Sequence, residues 1–177
     1  VYSSDEKPDL SLSPIPKWEL INFKHYSKMP IQYSRGCPFD CEFCDIVNLN
    51  GRIPRTKSPA QVIRELDSLY DHGWKGSVFI VDDNFIGDKT KTKELLKSLA
   101  EWKKTRKKHT TFMTEVSLNI ADDDELLYLM REAGFDSVFI GLETPSVESL
   151  NECGKYQNSK RDLVSSVKKI HNNGMEV

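Results

Sequence analysis

The chain is short of cysteine, of net charge and of long apolar runs, and each shortage removes a class of protein. There are four cysteines in 177 residues; three crowd between Cys37 and Cys44 and the fourth is remote, at Cys153. That distribution does not make a disulfide scaffold. Lys and Arg number 25 against 27 Asp and Glu, a formal charge of -2, so no nucleic-acid partner is expected from bulk electrostatics. No apolar run reaches roughly 18 residues, so no membrane-spanning helix is expected. The opening Val1-Tyr2-Ser3-Ser4-Asp5 lacks the basic and apolar regions of a secretion signal. A reducing cytoplasm is the expected compartment. What is present, 38% hydrophobic and 29% charged residues, suits one domain with a sizeable core.

Residues 1–30 read as an irregular arm or interdomain linker. Pro8, Pro14, Pro16 and Pro30 interrupt any period, while Trp18, Leu20, Ile21, Phe23 and Tyr26 give the arm apolar side chains to pack. From residue 31 onward strand and helix signals alternate. Strands are expected at 31–34, 77–81, 110–116 and 137–142. Ser58-Pro59 opens a helix bearing Val62, Leu66, Leu69 and Tyr70, closed by Gly73. A second helix, near 89–103, carries Leu95, Leu96, Leu99 and Trp102. A third starts at an Asp122 cap, carries Leu126, Leu127 and Met130, and ends at Gly134. A helix or helix pair over 145–173 places Leu163, Val164, Val167 and Ile170 on one face, and Met175-Glu176-Val177 begins a fifth strand. This α/β alternation implies a parallel sheet with crossover helices. It is compatible with a doubly wound sheet or a partial (β/α) barrel of about four βα units plus the start of a fifth. A chain stopping where a strand begins would leave an open edge, so it reads as a piece of a longer protein.

Cys37-Pro38-Phe39-Asp40-Cys41-Glu42-Phe43-Cys44 directly follows the first expected strand. Three thiolates so spaced converge only if the loop curls around a common centre, and thiolates select soft or borderline metals. A structural zinc wants four closed ligands, and the local sequence supplies three. A [4Fe–4S] cluster held by three cysteines keeps one iron open. Phe39, Phe43 and Ile46 would surround such a group with apolar material. In parallel barrels the strands' C-terminal ends carry the chemistry, which is where this loop lies.

The cysteine spacing resembles that of the radical S-adenosylmethionine (SAM) superfamily, as do the strand before it and the βα pattern after it. Pro16-Lys17-Trp18, Ile31 to Pro38, Gly51-Arg52-Ile53-Pro54-Arg55, Val81-Asp82-Asp83-Asn84-Phe85 and Ile140-Gly141-Leu142-Glu143-Thr144 resemble most closely its members with an N-terminal cobalamin-binding domain. The resemblance covers about residues 14–177. It implies a partial, TIM-like barrel, with Cys37, Cys41 and Cys44 holding a [4Fe–4S] cluster whose open iron binds SAM. It further implies reductive cleavage of SAM to a 5′-deoxyadenosyl radical, serving cobalamin-dependent methyl transfer. An electron donor of the flavodoxin or ferredoxin kind, a small-molecule substrate and a cobalamin domain outside this chain go with it.

The resemblance also marks the residues expected to contact SAM. Asp82, Asp83 and Asn84 stand where the family binds the methionine amino group, commonly with a glycine-rich segment that this sequence lacks; an Asp/Asn turn is the plainer reading. Glu115, an acid in an otherwise apolar strand, should face a cavity or a partner. It and Glu143 are placed to reach ribose hydroxyls, or else pair with Arg35 or Arg55. Lys155 stands where some relatives pair a base with the methionine carboxylate, although a surface lysine is the default. Cys153 reads as a small buried hydrophobe. The basic run Lys103 to His109 reads as a solvated helix end that complements the dipole. Two rivals remain: a non-catalytic zinc module, and a radical SAM enzyme modifying tRNA, which would need an RNA-binding domain.

Overall fold

The computed structural model describes residues 6–105 and 110–177. Among the described residues there are six strands: β1 (Lys28–Ile31), β2 (Ser34–Arg35), β3 (Arg55–Thr56), β4 (Ser77–Ile80), β5 (Phe112–Glu115) and β6 (Phe135–Phe139). Four of them form one parallel sheet in the order β1-β4-β5-β6, while β2 and β3 make a small antiparallel pair. Beyond β6, Glu176 bridges to Ser137 in parallel, with Val138 N–H donating to its carbonyl at 2.8 Å. The expected fifth strand therefore begins at Glu176. Among the described residues the sheet is open, an incomplete barrel and not a doubly wound sheet.

The helices are α1 (Ile46–Asn50), α2 (Pro59–Asp71), α3 (Lys89–Thr105), α4 (Asp124–Ala133), α5 (Val147–Glu152), α6 (Tyr156–Ser159) and α7 (Leu163–Asn172). Ser58 caps α2 through a reciprocal capping box with Gln61, Pro59 fills the first turn, and Val62, Leu66, Leu69 and Tyr70 are buried. Asp123, and not Asp122, caps α4 by accepting Leu126 N–H at 3.0 Å; Asp122 ends a preceding 3₁₀ turn. Gly134 closes α4 in the left-handed region, at φ 97°. Trp102 of α3 ties the helix layer together by donating Nε1–H to Asp67 at 2.8 Å. Where the basic run begins, Lys104 pairs with Glu101; positions 106–109 of that run lie outside the described residues.

Three expectations shift. The first strand runs over 28–31, not 31–34, and contains Pro30. This is tolerated because, among the described residues, β1 is hydrogen-bonded on one side only, to β4. The fourth strand begins at Phe135, two residues before its expected start. The 145–173 helix breaks into three, since Gly154 takes φ 71° and Asp162 caps α7 afresh; Ser166 and Ile170 are buried while Val164 is exposed. The arm is docked, not loose. Trp18 is buried, Phe23 packs edge-on against Trp74, and Gln61 Nε2 donates to the Leu10 and Ser11 carbonyls; Leu20 and Tyr26 remain exposed.

Along the sheet, residues alternate between a helix-covered face and an open one. Met29 and Ile31, Val78 and Ile80, and Phe112 and Thr114 are buried under the helices. Pro30, Phe79, Met113, Glu115 and Phe139 are on the open face. The loops following these strands all emerge at one end of the sheet.

Candidate active site

Those loops enclose a pocket of about 200 Å3, lined by Cys37, Cys41 and Cys44 from the loop after β2 and by Asp83 and Asn84 after β4. Glu115 to Ser117 follow from β5, Phe139 and Gly141 from β6, and Lys155 and Gln157 from the turn into α6. Phe39 and Phe43 supply apolar wall as expected, while Ile46 is not among the lining residues.

The cysteine loop is closed at a neck. Cys37 N–H donates to the Gly51 carbonyl at 3.2 Å, and Gly36, at φ 105°, sits where a Cβ would lie 2.9 Å from that oxygen. Asp83 braces the neck by accepting Gly36 N–H at 2.8 Å and Asn50 Nδ2–H at 2.9 Å. Arg52 pairs with Asp40 at 3.2 Å. On the far side, Glu42 N–H donates to the Cys153 carbonyl at 2.9 Å, and Gly154 approaches so closely that a Cβ there would lie 2.8 Å from the Asp40 carbonyl.

Electrostatics divide the acids. Asp82 is buried, its carboxylate accepting Tyr33 N–H, Ser34 N–H and Ser34 Oγ–H at 2.8, 2.9 and 2.7 Å. Burial pushes its carboxyl up to about 6, against those hydrogen bonds. Asp82 thus points away from the pocket and joins the ends of β1 and β4, unlike its neighbours. Asn84 fastens the β4 and β5 ends, its Oδ1 accepting Ser117 N–H at 3.3 Å and its Nδ2 facing Ser117 Oγ at 3.2 Å and Cys37 Sγ at 3.8 Å. Burial raises the Glu115 carboxyl above its ordinary range, with a further push from Asp83. Burial likewise pushes the Cys37 thiol up.

Glu143 adopts a positive φ of 65°, rare outside glycine. Its partner is neither Arg35 nor Arg55 but Lys155, with Oε1 at 2.5 Å from Nζ. Lys155 is buried and also lies 5.5 Å from the Phe43 ring centre. Glu143 is not among the lining residues, so it reaches the pocket only through Lys155. Gly141 makes space for this pair, since a side chain there would run into both charged groups. Gln157 was not anticipated; its Nε2–H points to Cys41 Sγ at 3.6 Å. Nothing in the sequence pattern signals an amide 116 positions away from its sulfur.

The donor set can be tested against the groups that sequence reading left open. Cys153 turns its thiol to the Leu150 carbonyl at 3.5 Å and does not line the pocket. Among the described residues no histidine lines the pocket, and no three His, Cys, Asp or Glu side chains gather as a single-ion site. A zinc ion needs four ligands about 2.0–2.3 Å from one point. Three thiols lining one pocket, two of them faced by amide donors, suit an iron–sulfur cluster with one iron left open.

Comparison with known proteins agrees with this geometry. An uncharacterized methyltransferase of Synechocystis sp. is 51% identical over 175 residues, covering 99% of this chain and 33% of the relative. The hopanoid C-2 methylase of Rhodopseudomonas palustris is 44% identical over 177 residues, covering all of this chain and 34% of the methylase. The chain thus spans about a third of the length of these curated relatives. In fold it is similar to the cobalamin-dependent SAM radical enzyme OxsB (TM-score 0.77, 22% identity, covering 97% of this chain and 26% of that one). It is also similar to the radical SAM methyltransferase TsrM of Kitasatospora setae (TM-score 0.74, 17% identity, covering 86% of this chain and 30% of that one). The family model described as the radical SAM superfamily matches residues 31–177, from the end of the sheet's first strand through the cysteine loop to the last residue, and the chain belongs to that superfamily.

Proposed function

We propose that residues 31–177 are the N-terminal portion of a radical SAM catalytic domain, with Cys37, Cys41 and Cys44 as ligands of a [4Fe–4S] cluster. The observation that carries this reading is that the three thiols line one pocket together with two carboxylates, two amides and a buried lysine, at the C-terminal ends of parallel strands. When bound, the cluster supplies the electron that cleaves SAM reductively to methionine and a 5′-deoxyadenosyl radical. The chain's residues bind, orient and exclude water. Asp83 and Asn84 present polar atoms to the amino group of SAM, Asp83 also fixing the loop neck. Lys155, held by Glu143, faces the methionine carboxylate. Glu115 stands across the pocket as acceptor for ribose hydroxyls. Asp82 contributes by setting the backbone from which Tyr33 and Ser34 lead into the cysteine loop.

The finer reaction is methyl transfer to a small molecule, in line with the names of the two curated relatives. A cobalamin domain outside these residues would take part, as cobalamin does in OxsB, which depends on it, and in TsrM, which binds it. Residues 1–30 then form the linker toward it. A low-potential donor such as flavodoxin or ferredoxin delivers the electron, and a reducing cytoplasm suits the free thiols. Among the described residues no helix is long and apolar enough to cross a membrane.

Anaerobic reconstitution with iron and sulfide tests the ligand assignment. The reading expects about four irons and four sulfides per chain, with loss of the brown chromophore in Cys37→Ala, Cys41→Ala and Cys44→Ala but not in Cys153→Ala. Uptake of a single zinc, or dependence on Cys153, would support the structural zinc module instead.

A further inference from the structure

Gln157 has no place in the reading above, yet its geometry is specific. It enters the pocket wall from the first turn of α6. Its Nε2 is 3.6 Å from Cys41 Sγ, while its Oε1 is buried without a hydrogen-bond partner. A metal-bound thiolate only accepts, so the amide must present N–H to the sulfur, and the orphaned oxygen follows from that orientation. Leaving a buried acceptor unpaired is costly, so the contact offsetting it lies on the amide's other end. The backbone around it is held to match: Cys153 carbonyl receives Glu42 N–H, and Gly154 lies against the Asp40 carbonyl. The turn carrying Gln157 is therefore fastened to the residues on both sides of Cys41.

We infer that Gln157 is a positioning residue that tunes the reduction potential at the cysteine site by donating its amide N–H to the Cys41 thiolate. This rests on the assignment of Cys41 as a cluster ligand. One electron from an external low-potential donor adds one negative charge, shared with the coordinating sulfurs, and no proton moves. An N–H aimed at a sulfur is favoured more as that sulfur becomes more negative, so the donor stabilises the reduced form and raises the potential. Asn84 faces Cys37 at the longer distance of 3.8 Å and its Nδ2 also faces Ser117 Oγ at 3.2 Å, so its loss would disturb two contacts and Gln157 is the amide whose loss is read most cleanly.

The test is a dithionite redox titration, followed by EPR, of the anaerobically reconstituted full chain beside Gln157→Leu, which keeps the bulk and removes the donor. Iron and sulfide contents are measured on both. The expected result is equal iron content and a midpoint lowered by an amount equivalent to about a tenfold smaller reduction constant, about 59 mV for one electron. Resonance Raman supplies a second reading: the iron–thiolate stretch should rise in Gln157→Leu and lose its sensitivity to deuterium exchange. If Gln157→Leu fails to fold or to load, Gln157→Asn, which withdraws the same amide by one carbon, is titrated in its place with the same expected direction. Wild-type protein that loads four irons while the variant's midpoint and stretching frequencies stay unchanged overturns the role of Gln157 alone. Wild-type protein that takes up no cluster overturns this inference together with the cluster assignment beneath it.

Discussion

The carboxylate of Asp82 accepts both the backbone N–H and the hydroxyl of Ser34, at 2.9 and 2.7 Å, across the ends of two parallel strands. This contact sets the course of the chain into the cysteine loop, and it places a carboxyl where water does not reach. The folded carboxyl sits at about 6 against an ordinary 3.8, with burial as the main cause. Between those values the folded state holds more protons than the unfolded one. The contribution to stability is therefore full below about pH 4 and is lost as pH rises through 6, by about 3 kcal/mol. Asp82→Asn should flatten the fall in urea midpoint between pH 4 and pH 7. An unchanged pH profile would assign the fall to other groups.

The buried ion pair of Lys57 and Glu65, at 2.6 Å, holds the entry to α2, where Lys57 N–H also donates to the Tyr33 carbonyl at 2.9 Å. Burial pushes the Glu65 carboxyl up while Lys57 pulls it back. Lys57→Met should cost about 3–5 kcal/mol, because it leaves a buried carboxylate alone. The double variant Lys57→Met/Glu65→Leu should recover most of that loss in a denaturant titration. A double variant as unstable as the single one would refute this account of the pair.

Gly154→Ala should destabilise by about 1–2 kcal/mol from its left-handed backbone alone, and more from the clash with the Asp40 carbonyl. Thermal melting reads the loss. Because the clash falls on the cysteine loop, iron content after reconstitution should drop as well. Full loading in a destabilised Gly154→Ala would separate this turn from the site.

Lys155→Met should weaken SAM binding by about tenfold, roughly 1.4 kcal/mol, with iron content unchanged, measured by equilibrium dialysis on the reconstituted protein. Unaltered affinity would return Lys155 to a structural role as partner of Glu143.

The fold was legible in the sequence through period and punctuation, and the site through cysteine spacing. Val62, Leu66 and Leu69 repeat at helical spacing behind a Ser-Pro start, and they are buried in α2. The neighbouring acids were harder to separate. Asp82 and Asp83 look alike in a list of residues, but alternation continues beyond β4: Val78, Ile80 and Asp82 are buried under the helices, whereas Asp83 lines the pocket. That rhythm was legible in the sequence alone. Other features were not. Pro30 could join β1 only because the strand is an edge, which is a property of the whole sheet. The break of the last helix into three depends on docking of residues 153–157 onto a loop more than a hundred positions earlier, and no local propensity records that.

Metal and fold are coupled in such loops, so limited proteolysis of the cluster-free protein should cut first within 37–57, with protection returning on reconstitution. Equal cutting in both states would uncouple them.

The central claim is that Cys37, Cys41 and Cys44 hold a cluster with one iron open to SAM. The most direct measurement is EPR of the anaerobically reconstituted, dithionite-reduced protein with and without SAM. The account predicts a reduced [4Fe–4S] signal that shifts on addition of SAM. A colourless protein carrying one zinc, or a cluster signal indifferent to SAM, would contradict it.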